Sequence, residues 1–175
     1  MKCAILAAGR GSRLGSITKT LPKFFLDFDG ISVHKNQLKL IENYCDEVVL
    51  VLGHGFVEER KINGNMDKFN QVYQEKILDN IYCCSHSDID FKINTSKVNN
   101  YIDTSFNIDI NVLVIPYWNM VENAESCGQG LDFFDGEDII LLSGDRFLTD
   151  NVITKAISRF SDQIIEEPYH VVSAL

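Results

Sequence analysis

The chain has 175 residues, 45% hydrophobic and 23% charged, with only 3 Pro and 11 Gly. That composition belongs to a globular chain of about one domain and excludes disordered, collagen-like and low-complexity proteins. Sixteen Lys and Arg against 25 Asp and Glu leave a formal charge of −9, a poor match to nucleic acid, whose phosphates require basic surface. A small anionic ligand fits better, because one local Arg/Lys cluster outweighs the net field at short range.

In chain order, Lys2–Ala7 reads as a buried strand, followed by a loop rich in Gly, Ser and Thr. Phe24–Phe28 is a short extended piece closed by the Asp29-Gly30 turn signal. Ser32 suits a helix N-cap, and His34, Leu38, Ile41 and Cys45 follow at spacings of one helical face. Glu47–Leu52 (EVVLVL) is a second buried strand closed by Gly53. Val57–Asp79 predicts mostly helix, broken near Asn63-Gly64. The polar stretch from 80 to 109 reads as part of a surface insertion over about 60–109. Ile110–Pro116 is a third strand, Val121–Phe134 a helix, and Asp138–Leu142 a fourth strand running into Ser143-Gly144-Asp145. Asn151–Phe160 predicts helix and His170–Leu175 a fifth strand. Apolar strands alternating with helices imply an α/β fold with a parallel sheet covered on both faces.

The five cysteines, Cys3, Cys45, Cys83, Cys84 and Cys127, are odd in number and lack zinc spacing, so they are expected as reduced thiols in a cytoplasmic protein. The N-terminal apolar run is too short for a signal peptide, and Arg10 and Arg13 follow at once. No apolar stretch approaches the ~20 residues of a membrane span. Neither membrane nor nucleic acid is expected as a partner.

The Gly-rich loop stands directly after the first strand, where open α/β sheets bind ligands. Its run, Leu6-Ala7-Ala8-Gly9-Arg10-Gly11-Ser12-Arg13-Leu14-Gly15, lets backbone approach a ligand and turns N–H groups toward phosphate. Arg13 and Lys23 add positive charge. It is neither a G-x-G-x-x-G dinucleotide fingerprint, since Leu14 stands where the third Gly should be, nor a Walker loop. Spacing alone is equally that of a plain Gly/Ser loop with two solvated arginines.

The run LAAGRGSRLGSITKTLPKFF resembles the nucleoside-triphosphate transferase family, which includes sugar-1-phosphate nucleotidylyltransferases and choline-phosphate cytidylyltransferases. Leu6, Ala7, Ala8, Gly9, Gly11, Arg13, Leu14, Thr18 and Pro22-Lys23 carry the resemblance. Gly30–Ile41, Glu47–Gly53, Asn123–Leu131 and Leu142–Asp145 look like further family segments. The resemblance implies a Rossmann-like three-layer fold of the nucleotide-diphospho-sugar transferase type, a single domain over 1–175. The chain stops within the apparent strand VVSAL, before the later parts such proteins carry, and so reads as truncated.

The same resemblance implies Mg²⁺-dependent transfer of a nucleoside monophosphate from a triphosphate to a small phosphorylated substrate, releasing pyrophosphate. Arg13 would steady the β- and γ-phosphates, and Lys23 the α-phosphate and the attacking phosphate. Gly9, Gly11 and Ser12 would offer backbone N–H groups to the phosphates; Leu6, Ala7 and Ala8 would touch base and ribose. Ser126 and Gly144 would lie beside the nucleotide, and Asp145 would hold the metal. Each has a plain rival: Asp145 as turn punctuation, Lys23 as a solvated lysine, Ser126 as an ordinary helix residue. The alternative function is a catalytically incomplete nucleotide-binding or regulatory module, and a homo-oligomer stays open. His34 reads as a core or boundary residue. His54, between two glycines at a strand end, lies near where substrate would sit, while His86 and His170 suggest no constellation.

Overall fold

The computed structural model describes residues 1–63, 72–102, 105–121 and 123–162; the expected strand at 170–175 lies outside them. Ten strands and four helices are described: β1 (Lys2–Ala7), β2 (Asp27–Phe28), β3 (Ile31–Ser32), α1 (Val33–Ile41), β4 (Glu47–Leu52), β5 (Val57–Ile62), β6 (Tyr73–Leu78), β7 (Ile81–Ser85), β8 (Ile89–Ile93), α2 (Thr95–Tyr101), β9 (Asp109–Val114), α3 (Asn123–Asp132), β10 (Ile139–Ser143) and α4 (Asp150–Asp162). Two short 3-10 segments, Ser12–Thr18 and Lys23–Phe25, lie in the long connection after β1.

Six strands form the central sheet in the order β10-β1-β4-β9-β7-β6, every neighbouring pair parallel except β6 with β7. Alternate side chains of each strand enter opposite faces. Cys3, Ile5, Val48, Leu50, Leu52, Val112 and Val114 pack with Leu38 and Ile41 of α1, Val98 of α2 and Ile153 of α4. Ala4, Val49, Val51, Leu113 and Ile115 pack on the other side with Tyr117 and Phe134, where α3 lies. The result is the expected three-layer α/β fold with a mostly parallel sheet. α1 opens on the expected cap, the Ser32 hydroxyl accepting from Lys35 N–H at 3.2 Å.

The span from Val57 to Asp79 is not helical where it is described. β5 pairs antiparallel with β8, with Glu58 and Lys92 in an ion pair at 2.8 Å, and β6 pairs antiparallel with β7. The sequence VEERKI carries good helix formers, but cross-strand pairing decides its state. Nor is the expected 60–109 insertion wholly on the surface: β7 lies beside β9, with Ile81, Cys83 and Cys84 fully buried. The polar residues that disguised this region sit in its turns, as at Asp79-Asn80 and His86–Ile89. Phe24–Phe28, expected as extended, splits into the second 3-10 segment and a two-residue strand paired with β3.

All five cysteines are free. Among the described residues no helix is long and apolar enough to cross a membrane.

One close approach fixes the end of β10. Gly144 N–H donates to Leu6 O at 2.8 Å, and a Cβ at Gly144 would stand 2.8 Å from both Ala7 Cβ and Leu6 O. Backbone cannot yield as a flexible side chain would, so Gly144→Ala is expected to lower the unfolding free energy by about 1–3 kcal/mol. Gly128, inside α3 with open space where a Cβ would go, is the contrast; Gly128→Ala should stabilise by up to about 1 kcal/mol. Urea denaturation of the two variants checks both signs.

Candidate active site

The parallel strands end on one edge of the sheet, where the connections after β1, β4, β9 and β10 gather. Chain order reverses beside β1, with β4 on one side and β10 on the other; such a reversal opens a crevice between neighbouring loops. α3 leads from β9 back to the start of the parallel strand β10, so its first turn faces this edge as well.

The loop after β1 is held by its carbonyls. Ala8 O accepts from His54 N–H at 2.9 Å, and Gly11 O accepts from Leu14 N–H at 3.0 Å and from the buried Thr18 hydroxyl at 3.1 Å. Thr18 O is 2.6 Å from His54 Nε2. A carbonyl can only accept, so this contact places the imidazole proton on Nε2. Lys97 Nζ then donates to Thr20 O and Gly55 O, each at 2.6 Å, which ties the loop to the turn after β4. Gly11 itself has φ +68°, left-handed backbone that favours glycine, and the Lys23 stem runs against it, with Cδ 3.1 Å from where a Gly11 Cβ would stand.

Lys23 and Asp145 meet across the crevice. Lys23 Nζ lies 2.6 Å from Asp145 Oδ2, the Ser143 hydroxyl donates to Asp145 Oδ1 at 2.7 Å, and Arg146 Nε is 3.9 Å from the same oxygen. The Lys23 hydrogen bond, then that of Ser143, holds the Asp145 carboxyl below the usual carboxylate range, against a smaller opposing effect of burial. Arg13 is exposed on the 3-10 segment and forms no ion pair among the described residues. Gly9 and Ser12 are exposed beside it, and Ala7 and Ala8 are buried at the strand end.

The structure therefore brings Leu6, Ala7, Gly11, Lys23, Gly144 and Asp145 into direct contact, with Ala8, Gly9, Ser12 and Arg13 on the same loop. Ser126, 7% exposed in the first turn of α3, makes no hydrogen bond to the Lys23–Asp145 pair among the described residues. Sequence reasoning left Thr18 and Ser143 without roles and His54 as a weak signal. Thr18 stood in the motif, and His54 stood between glycines at a strand end, but their contacts depend on chain segments brought together only by folding.

Among the described residues no three His, Cys, Asp or Glu side chains form a ready-made cation cage. One carboxylate at the mouth still suits a Mg²⁺ that takes most of its oxygens from phosphate and water. An ammonium at 2.6 Å from Asp145 marks that oxygen as a place where positive charge is favourable.

Lys23→Met removes the first cause of the low Asp145 pKa, so the carboxyl is expected to titrate nearer the ordinary value, followed by ¹³C NMR of that side chain. Because folding lowers this pKa, the pair stabilises the protein fully above the unfolded carboxylate range and loses its effect as pH falls through the folded value. Wild type and variant should thus differ near neutrality and converge in acid. Both side chains are about a third exposed (35% and 37%), so the difference will be small. Identical Asp145 titration in both would refute the pairing.

Comparison with known proteins bears on the family and the fold. Residues 3–76 match the family described as the MobA-like NTP transferase domain. The bifunctional protein GlmU of Methanococcus maripaludis (strain C7) is 35% identical over 80 residues, and that of Methanococcus vannielii 36% over 81, each match covering 45% of this chain and 19% of the relative. The chain thus aligns with about a fifth of the length of these curated relatives. In fold it resembles a UDP-glucose pyrophosphorylase solved with UDP-glucose, at a TM-score of 0.54 and 17% identity, over 92% of this chain and 53% of that one. The sequence match begins within β1, takes in the whole loop that carries Arg13 and Lys23, and supports a nucleotidyltransferase family for this part of the chain.

Proposed function

We propose that this protein transfers a nucleoside monophosphate from a nucleoside triphosphate to a sugar 1-phosphate, or to another phosphate monoester such as choline phosphate, and releases pyrophosphate with Mg²⁺. The reading treats residues 1–175 as one nucleotidyltransferase-like domain at work in the cytoplasm. The observation that carries it is the Lys23–Asp145 pair, closed at 2.6 Å across the crevice beside a loop that presents Arg13 with no ion-pair partner among the described residues. The structural neighbour, a UDP-glucose pyrophosphorylase solved with UDP-glucose, favours a nucleotide-sugar product and a uridine base over choline phosphate and cytidine.

In this reaction the acceptor phosphate attacks the α-phosphorus and pyrophosphate leaves, so the protein's work is positioning and charge neutralisation. Lys23, with three ammonium donors, would reach the α-phosphate and the attacking phosphate and offset their repulsion. Arg13 would hold the β- and γ-phosphates as the leaving group gains charge, its planar fork suited to two phosphate oxygens. The backbone N–H groups of Gly9, Gly11 and Ser12 would point at the same phosphates, while Leu6–Ala8 would line the base and ribose side with Ser126 and Gly144. Asp145, kept ionised at neutral pH by its low pKa, would hold Mg²⁺, which when bound supplies Lewis-acid neutralisation of phosphate charge.

A second reading, a nucleotide-binding or regulatory module without turnover, is favoured by one observation: Asp145 is the single carboxylate that the described residues place at the Lys23 ammonium. A thermal-shift panel of CTP, UTP, dTTP, GTP and ATP, with and without Mg²⁺, followed by pyrophosphate release with candidate acceptors, separates the two. Transfer is expected with one triphosphate standing out. Binding without release under any acceptor would favour the module, and no binding at all would refute both. Given turnover, Lys23→Ala should cut kcat roughly 100- to 1,000-fold without loss of fold. Asp145→Asn should raise the Mg²⁺ concentration needed for half-maximal rate. Wild-type rates in the first, or an unchanged Mg²⁺ titration in the second, would remove that residue from the proposed centre.

A further inference from the structure

The loop that carries Asp145, residues 143–148, leaves the sheet from β10, an edge strand of the described sheet. One neighbouring strand alone would hold it loosely, and its further grip comes from α1. Gln37 is fully buried, and its Nε2 donates to the carbonyl oxygens of Ser143 and Arg146, each at 2.8 Å. Asn36 closes a two-way pair with Leu148, whose N–H donates to Asn36 Oδ1 at 2.9 Å while Asn36 Nδ2 donates to Leu148 O at 3.3 Å. Four hydrogen bonds from two adjacent amides thus fasten the loop, and the two from Gln37 bracket Asp145.

Gln37 holds this place at a cost. Its Oε1 is buried without a hydrogen-bond partner among the described residues, which disfavours the folded state. The helix face around it is otherwise suited to an apolar side chain, with Val33, Leu38 and Ile41 buried on either side. A methionine there would remove the orphaned oxygen and also both donors, so what the glutamine contributes is the pair of N–H groups. The same helix supports the other half of the site. The His34 ring packs at 5.5 Å from Phe24 and 5.0 Å from Phe25, in the 3-10 turn that begins with Lys23.

We propose that Gln37 is a positioning residue: by fixing the carbonyls on both sides of Asp145, it sets that carboxylate opposite Lys23, and α1 thereby registers the two halves of the centre against each other. The inference rests on the reading of this crevice as a nucleotidyltransferase centre. Its test compares wild type with Gln37→Met and Gln37→Glu, both close in size to glutamine, the second replacing two donors by an acceptor against two carbonyls. Amides of residues 144–148 should exchange hydrogen faster in both variants, with those of β1 and β4 unchanged. Should one variant fail to fold, the other carries the comparison.

With the triphosphate and acceptor found above, kcat should fall roughly 10- to 100-fold and half-maximal Mg²⁺ should rise, while KM for the triphosphate changes little. A merely structural role would instead lower the thermal midpoint and speed exchange throughout the sheet. That outcome, unchanged loop exchange, or wild-type kcat and Mg²⁺ dependence would each overturn the proposal. If wild type itself turns over no triphosphate with any acceptor, the functional reading fails separately, and the exchange data still decide whether Gln37 holds the loop.

Discussion

Lys23 and Asp145 are 122 residues apart in the chain, and their meeting depends on a seam with no side chain in it. β1 and β10 run side by side in register from Lys2 opposite Ile139 to Leu6 opposite Ser143. The register continues one residue further because Gly144 lacks a Cβ, and its N–H bonds Leu6 O at 2.8 Å. A larger residue there would push the two strand ends apart at the point from which both the Lys23 loop and the Asp145 loop depart. Helix packing at α1 and the clasp between lysine and aspartate both presuppose that contact. This is why a backbone restriction in the sheet, and no cluster of catalytic side chains, is the feature on which the crevice rests.

The electrostatics are local. A chain of charge −9 repels a triphosphate at long range, but beyond about 8 Å at physiological salt that field is largely screened. Inside that distance the loop presents Arg10, Arg13 and Lys23, and among the described residues only Lys23 is committed to an ion pair. That pair is a charge-assisted hydrogen bond between partly exposed groups, so it holds the lysine extended toward the crevice at little net stabilisation. A ligand carrying several negative charges can outbid one carboxylate for the ammonium, and the carboxylate so released is already ionised.

What could be read in the sequence follows from how each segment earns its structure. β1, β4 and β9 were legible because strands buried on both faces are largely apolar, and runs such as EVVLVL admit little else; β10 is an apolar run as well, though only partly buried. The loop was legible because its run of small residues with Arg13 and Lys23 resembles a known family; its spacing alone was equally that of a plain Gly/Ser loop. β5 and β6 were not, since Glu58, Glu59, Arg60 and Lys61 look helical until Lys92 and the rest of β8 supply a partner. β7 hid for a related reason, its short buried core of Ile81, Cys83 and Cys84 lying between polar turns. His54, Ser143 and Gln37 act on groups 36, 2 and 106 or more residues away. Of these only the Ser143 contact is local, and it becomes meaningful only once Asp145 is placed.

Apart from Ser143, which donates to the Asp145 carboxylate, the donors around the centre that the sequence did not reveal share one target, the backbone carbonyl. His54 takes Ala8 O through its N–H and Thr18 O through Nε2, the Thr18 hydroxyl takes Gly11 O, Lys97 takes Thr20 O and Gly55 O, and Gln37 takes Ser143 O and Arg146 O. Each bond turns a negative end of a peptide dipole inward, toward protein. Gly9, Gly11 and Ser12 meanwhile donate no backbone hydrogen bond among the described residues. On the proposed function, these unpaired N–H groups would offer the positive ends of their peptide groups to a phosphate. Such a site in an acidic protein would then depend on residues far from the motif, wherever a side chain reaches a carbonyl of the loop and holds it.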